Sequence, residues 1–395
     1  MKKSIFKLSL LLISFCLAHC GASSSQTNSS EAPTSEASSP YLSKVQTLVI
    51  QDQSLLLGGA QAVGSHLVGG DVIVSISDLA LQKLNLDGSP QQDFGQAGLA
   101  LADLGGDGEA ISVLLPQEDG KILAGGISSD GSNYDFALSS GNALALARFE
   151  SNGQLDTSFG KEGGLVFLDI QESVNALALK SDGKLLIATR SLGLLQYDPQ
   201  SGWDDSFVVE KDALDNIVLC YLLMQEEDQF LAAGYIEDPL GTNGKDFVLL
   251  AFHSDGSLRS DFGSGGKVVI DFDSQVDIAH IVKAQSDGSL LIAGQSSPPN
   301  PQGGLAKEND FALSKVLADG SVDLSFGKQG KVLTDLGGRF DVVKAIELHE
   351  DGVLTALGFY TSSSKSLVAA QYEASGNLLD IYFIEDFALE DIPYF

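Results

Sequence analysis

Cysteine is nearly absent, with three among 395 residues, and their positions exclude a disulfide framework. Cys16 and Cys20 belong to the hydrophobic N-terminal run, so a mature chain retains only Cys220 as a free thiol, and one thiol closes no intrachain bridge. Cys220 stands in the apolar run Ile217 to Leu223 and reads as a small buried hydrophobe rather than a nucleophile. Tryptophan is scarcer still: Trp203 is alone, so the aromatic platforms that commonly line sugar clefts are few. Positive charge is also short, 23 Lys and Arg against 53 Asp and Glu, for a net charge of −30. That imbalance repels phosphate backbones and anionic lipid heads, which argues against nucleic acid and leaves cationic partners or divalent ions. Sustained helical periodicity is missing. So are His-Glu-x-x-His, a Gly-x-Ser-x-Gly elbow and a Walker loop. His66, His253, His280 and His349 read as surface or strand residues, and the expectation is of no enzyme.

What is present begins with an export signal. Lys2, Lys3 and Lys7 precede the apolar run Leu8 to Leu17, which is too short to span a bilayer. Residues 1–19 are therefore expected to be a signal peptide. Gly21 to Pro40 is mostly Ser, Thr, Ala, Glu and Gln, too polar to offset the entropy of ordering, so residues 20–43 are expected to be a tether. Between them, Leu17-Ala18-His19-Cys20 resembles the lipobox of bacterial lipoproteins. The resemblance implies a lipid on Cys20. Several acyl chains, each buried methylene contributing roughly 0.8 kcal/mol, would hold the chain firmly. By the same family logic, Gly21 rather than Asp after the cysteine implies the outer membrane, facing the cell envelope or surface.

Residues 44–395 repeat themselves. A Gly-centred turn, a short polar stretch and Phe-Gly recur at Leu86-Asp87-Gly88 to Phe94-Gly95, Ser151-Asn152-Gly153 to Phe159-Gly160, Ser254-Asp255-Gly256 to Phe262-Gly263, and Ala318-Asp319-Gly320 to Phe326-Gly327. Two degenerate copies run from Ser201-Gly202 to Phe207 and from Ser375-Gly376 to Tyr382-Phe383. The copies lie roughly 50–65 residues apart, the length of a multi-stranded repeat unit. Asp119-Gly120, Asp182-Gly183, Asp287-Gly288 and Asp351-Gly352 add a hairpin signal inside most copies. Four strands per copy follow; in the fifth they are Lys267 to Phe272, Val276 to Ala284, Leu290 to Gly294 and Asp310 to Val316. Val174 to Leu179 is apolar on both faces, as in a sheet covered on both sides. The expected fold is all-β, a β-propeller of four-stranded antiparallel blades forming one domain over 44–395. Six blades are expected, or seven if both chain ends combine into an extra blade.

Asp246-Phe247-Val248-Leu249, Asp310-Phe311-Ala312-Leu313, Leu155-Asp156-Thr157-Ser158-Phe159-Gly160 and Ser181-Asp182-Gly183-Lys184-Leu185-Leu186-Ile187-Ala188 resemble the bacterial delta-60 repeat, over roughly Asp71 to Leu389. The resemblance implies a secreted or surface protein and no catalytic activity.

Phe94, Phe159, Phe262 and Phe326 are expected to anchor neighbouring blades, and the recurrent glycines to shape turns. No cofactor is required by the sequence, although calcium is a candidate at Asp271, Asp273 and Asp277, or at Asp130 and Asp135, because hard cations take clustered oxygens. The connections Ile127 to Asn142, Ile236 to Lys245 and Ser296 to Asn309, placed between third and fourth strands, are longer than their counterparts. Insertions at one repeat position share one face. Asp130, Asn133, Tyr134, Asp238, Asn243, Asn300 and Gln302 are thus the expected binding residues of a monomeric, non-catalytic interaction scaffold. Its partner would be an unidentified protein or surface ligand, and its only membrane contact the lipid. The alternative is an extracytoplasmic, glycosidase-like hydrolase with its carboxylates in the central channel. The scaffold predicts no preorganised polar constellation; the hydrolase predicts converging carboxylates with raised pKa values at one end of the axis.

Overall fold

A computed structural model describes residues 44–384 apart from 52–53, 69–71, 86–88, 104–107, 130–141, 161–162, 169–171, 173, 239–243, 274–275, 298–307, 338–339 and 362–364. Twenty-four strands form, among the described residues, four sheets of eight, four, eight and four strands, within which consecutive strands pair antiparallel in runs of four, described below as units. Unit 1 is β1 (Lys44–Gln51), β2 (Ser54–Val68), β3 (Val72–Asn85) and β4 (Leu99–Ala102). Unit 2 is β5 (Gly108–Pro116), β6 (Ile122–Ser129), β7 (Asn142–Phe149) and β8 (Leu165–Leu168). Unit 3 is β9 (Val174–Leu179), β10 (Leu185–Thr189), β11 (Leu194–Asp198) and the two-residue β12 (Gly202–Trp203). Unit 4 is β13 (Ile217–Met224), β14 (Phe230–Glu237), β15 (Lys245–Phe252) and β16 (Lys267–Ile270). Unit 5 is β17 (Val276–Ala284), β18 (Leu290–Ser297), β19 (Asp310–Val316) and β20 (Lys331–Thr334). Unit 6 is β21 (Phe340–Leu348), β22 (Leu354–Thr361), β23 (Lys365–Tyr372) and β24 (Leu378–Ile384). A single parallel pairing joins units 1 and 2 at Ser77 and Gly108, and another joins units 4 and 5 at Lys245 and Val276.

Apolar residues on both faces decide how the units pack. Every residue of β10 and β18 is buried, and the core consists of layers between consecutive units rather than one central cluster. Leu231, Phe247, Phe262 and Ile270 of unit 4 pack with Val282 and Ile292 of unit 5. Leu291, Phe311 and Phe326 of unit 5 pack with Val343, Ile346 and Tyr372 of unit 6. Similar layers join units 1 to 2, 2 to 3 and 3 to 4. The first strand of each unit packs against the first strand of the next, and β1 packs against β21. This is an all-β, multi-sheet, propeller-like arrangement.

Three sequence expectations change. The repeat as read from sequence straddles two sheets: Lys267–Ile270, expected to open the fifth copy, pairs back onto β15 and closes unit 4. The long connections therefore join second to third strands, β6 to β7, β14 to β15 and β18 to β19, rather than third to fourth. The chain ends do not share a sheet among the described residues, since β1 pairs with β2 and β24 with β23.

The candidate carboxylate site

The first strand of a unit runs antiparallel to the second, so its start lies beside the second strand's end: Gly108 faces Ser129, Ile217 faces Ile236, Val276 faces Ser297. The long connections and the starts of the inner strands thus share one end of the units. Three carboxylate groupings sit at that end, at the junctions of units 1 and 2, 4 and 5, and 5 and 6. They are Asp78, Asp103 and Glu109; Asp246, Asp271 and Asp277; and Asp310, Asp335 and Asp341, each with ligand oxygens within 4.8 Å of one another.

Each grouping is built the same way. One acid comes from the third strand of a unit, one immediately follows its fourth strand, and one is the second residue of the next unit's first strand. Glu109, Asp277 and Asp341 are fully buried, Asp103, Asp271 and Asp335 are exposed, and the third-strand acids lie between. Backbone N–H groups fix the buried members: Phe272 donates to Asp277 Oδ2 at 2.8 Å and Leu336 to Asp341 Oδ2 at 3.2 Å. At the exposed members, Asp273 N–H donates to Asp271 Oδ1 and Gly337 N–H to Asp335 Oδ1, both at 2.6 Å.

Crowding of like charge in a half-buried setting raises the third-strand acid every time. Burial first, then Asp335 and Glu308, push the Asp310 carboxyl up to about 6. Burial, then Asp271, Asp277 and Asp238, raise Asp246 against the opposing pull of Lys331. Burial and Asp103 raise Asp78. A carboxyl that holds its proton more tightly than usual beside further carboxyl groups is equipped for acid–base work, and three hard oxygens are equipped for a cation such as calcium.

This geometry corrects the functional expectation. A non-catalytic, protein-binding scaffold was expected to lack a preorganised polar constellation, and three such constellations with raised acids are present. The expectation of no enzyme falls with it. The acids occupy the junctions between units. The calcium trio is redrawn: Asp271 and Asp277 join Asp246, whereas Asp273, with a left-handed φ of 60°, faces Lys331 at 3.5 Å. Among the expected loop residues, Asp238 is half-buried, donates its N–H to the Gly244 carbonyl at 3.0 Å and contributes to the field on Asp246. Asp130, Asn133, Tyr134, Asp135, Asn243, Asn300 and Gln302, and the lipid-site Cys20, lie outside the described residues.

Other recurrent acids are structural. Burial pushes the Asp156 carboxyl up, but hydrogen bonds from Lys121, Ser158 and Arg148 outweigh it and hold the group well below the usual carboxylate range. Its Oδ2 accepts from Lys121 Nζ and Arg148 Nε, each at 2.7 Å. Cys220 is half-buried, and burial pushes its thiol up to about 11, which suits an inert cysteine.

One family model matches, described as a domain of unknown function (DUF5122) beta-propeller, over residues 117–159 and 285–326. No curated protein matches the sequence. Among solved structures, a polysaccharide lyase, the PL25 ulvan lyase bound to -[GlcA(1-4)Rha3S]-, is 11% identical with a TM-score of 0.45, covering 88% of this chain and 84% of that one. A protein of unknown function from Bacteroides caccae is 10% identical with a TM-score of 0.38, covering 84% and 96%. PorZ, a surface component of the type-IX secretion system of Porphyromonas gingivalis, is 11% identical with a TM-score of 0.38; the match covers 89% of this chain and 43% of PorZ. Likenesses this distant carry nothing about chemistry. The chain is an all-β domain of propeller-like, multi-sheet architecture, distantly related to β-propeller-like folds.

Proposed function

We propose that the chain is an extracytoplasmic, glycosidase-like hydrolase whose acid–base groups are the carboxylate triads at the inner-strand starts. The observation that carries this reading is the Asp310 carboxyl, pushed up to about 6, with its oxygens within 4.8 Å of those of Asp335 and Asp341. Glycoside hydrolysis needs one protonated carboxyl to donate to the leaving oxygen and one ionised carboxylate on the reacting carbon's side. Asp310 fits the first role and the exposed Asp335 the second. Their closeness is nearer to the roughly 5 Å separation of retaining enzymes than to the wider gap that admits a water in inverting ones. A bound cation would keep all three acids ionised and so withdraw the acid, which makes calcium an antagonist of catalysis at an occupied triad.

Ring closure into six blades is part of this reading, supported by the packing of β1 against β21 and of each inner strand against the next. Membership of the delta-60 repeats is supported by the recurrent Asp-Phe-x-Leu and Phe-Gly motifs. Lipidation at Cys20, a tether to residue 43 and an outer-membrane address would hold a monomer at the envelope, where glycans are at hand. The test is release of reducing ends from a panel of envelope and extracellular polysaccharides. Hydrolysis that falls at least 100-fold in Asp310→Asn with an unchanged melting temperature supports the reading; no release from any polymer, or full activity in the variant, overturns it.

A further inference from the structure

Every inner strand carries one extra residue. The register against the second strand slips between Val45 and Thr47, Ile111 and Val113, Leu219 and Tyr221, Ala279 and Ile281, and Val343 and Ala345, and at Asn175 in unit 3. Such bulges re-aim a side chain out of the sheet's alternation. The bulged residues of units 2 to 6 are Ser112, Asn175, Cys220, His280 and Lys344. All five are half-buried, on strands that themselves pack in sequence around the axis. Burial is also the largest influence on the three ionisable ones. If the units close into the ring proposed above, groups that are deep yet partly accessible on these strands would line its axial passage.

Two members of this girdle are satisfied and two are not. Ser112 Oγ donates to the Val174 carbonyl at 2.9 Å and Asn175 Nδ2 to the Leu219 carbonyl at 3.1 Å, each reaching the next inner strand. His280 and Lys344 make no such reach. His280 Nε2 is a buried atom without a hydrogen-bond partner, and Lys344 has no ion pair or hydrogen bond among the described residues. An unmet buried polar atom costs about 1–3 kcal/mol, so His280 Nε2, with the Lys344 ammonium close enough to act on the ring, is a group that a ligand would satisfy. Lys344, Lys245 and Arg190 all act on Cys220, and of these Lys245 is paired with Glu237 at 3.4 Å.

We propose that the axial passage holds a binding site for a small hydroxy acid, with Lys344 pairing with the carboxylate and His280 Nε2 accepting a hydrogen bond from the hydroxyl. The two groups need different partners. Burial disfavours the charged form of Lys344, and an anionic oxygen beside it would restore the ammonium. The imidazole is held neutral by burial and by Lys344, and its bond to Gln295 favours a donor on the other nitrogen; Nε2 therefore offers a lone pair, which accepts a hydroxyl. A sugar acid carries both features on adjacent atoms, whereas a neutral sugar lacks the anion. The site rests on the ring closure of the reading above but uses no triad residue, so the hydrolase can fail while the binding site stands.

Titration calorimetry of the purified protein with D-glucuronate, D-glucose and inorganic phosphate tests the assignment. Glucuronate is expected to bind at least tenfold more tightly than glucose or phosphate, and to shift the His280 ring nitrogens in nitrogen-15 spectra. Lys344→Met and His280→Phe should each weaken glucuronate at least tenfold; Lys344→Met replaces a buried charge by an apolar chain of similar length, so the fold is expected to survive. Asp310→Asn should leave this affinity unchanged. Equal affinity for glucose, tighter phosphate, no glucuronate binding, or undiminished binding by Lys344→Met in a protein of normal melting temperature overturns the proposal.

Discussion

The backbone N–H of Phe272 donates to Asp277 Oδ2 at 2.8 Å, so the chain leaving the last strand of unit 4 grips the buried acid that opens unit 5. Leu336 and Asp341 repeat the contact one junction later. The bond orients the carboxylate before any ligand arrives, and it holds Asp277 where it adds to the raising of Asp246. Preorganisation of the triad is therefore a property of how consecutive units are joined.

The first prediction concerns pH and calcium together. Asp310 has its folded-state pKa raised to about 6 from the ordinary 3.8. A raised carboxyl pKa means the folded state binds the proton more tightly, so stability from this group is present below the ordinary value and is lost as pH rises through about 6. Melting temperature should accordingly fall between about pH 4 and 6.5 through this group, and the fall should shrink in Asp310→Asn. Calcium held by the ionised triads would at pH 7 raise the melting temperature, adding about 2.7 kcal/mol of stability at a concentration 100-fold above its Kd. Scanning calorimetry with and without calcium at both pH values checks this; a calcium effect equal at pH 4 and pH 7 would contradict it.

The signals that were legible in the sequence are local ones. Asp182-Gly183 and Asp287-Gly288 form tight turns with φ near 86° and 82°, and Phe94, Phe159, Phe262 and Phe326 are buried between units. The phase of the repeat was not legible, because whether Lys267–Ile270 opens one sheet or closes the previous one depends on pairing, and its own residues suit either. The triads were half visible. Asp246 and Asp310 stood in a recognised motif, but each meets its partners only through segments about 25–31 residues away, and the aligned recurrence of Asp271 with Asp335 and of Asp277 with Asp341 was the available sign. His280 looked like any strand histidine because the bulge that exposes it is set on the opposite strand, by a recurrent glycine at 126, 234, 294 and 358.

Those glycines give the second prediction. A Cβ on Gly294 would lie 1.9 Å from the Ile278 carbonyl oxygen, a contact that only backbone movement relieves. Gly294→Ala should cost on the order of 3 kcal/mol and disturb the adjacent bulge. Gly183, with φ +86° and nothing within 4 Å of its would-be Cβ, should cost about 1 kcal/mol on the same change, from the left-handed backbone alone. Urea unfolding of both variants measures the difference. Equal costs would mean that the inner-strand bulge tolerates a wider backbone separation and that its side chain is not fixed.

The third prediction tests what joins the units. Phe326 is 1% exposed, its neighbour Gly327 donates to the Ser375 carbonyl of unit 6 at 2.7 Å, and a Cβ on Gly376 would come within 3.1 Å of the ring. Phe207 makes the same approach to Gly256, at 3.0 Å, but it is half-buried and is followed by Val208 instead of glycine. The ring contact is common to both, while full burial and the Phe-Gly backbone bond belong to the complete copy. Phe326→Ala should therefore cost about 3–5 kcal/mol, the range for emptying a well-packed aromatic site, and Phe207→Ala distinctly less. Because the core is a series of layers between units, the Phe326 cavity should also loosen the layer shared by units 5 and 6. Hydrogen exchange in β22 and β23 should then rise more than in β10; protection lost evenly across all units would point to a single cooperative core instead.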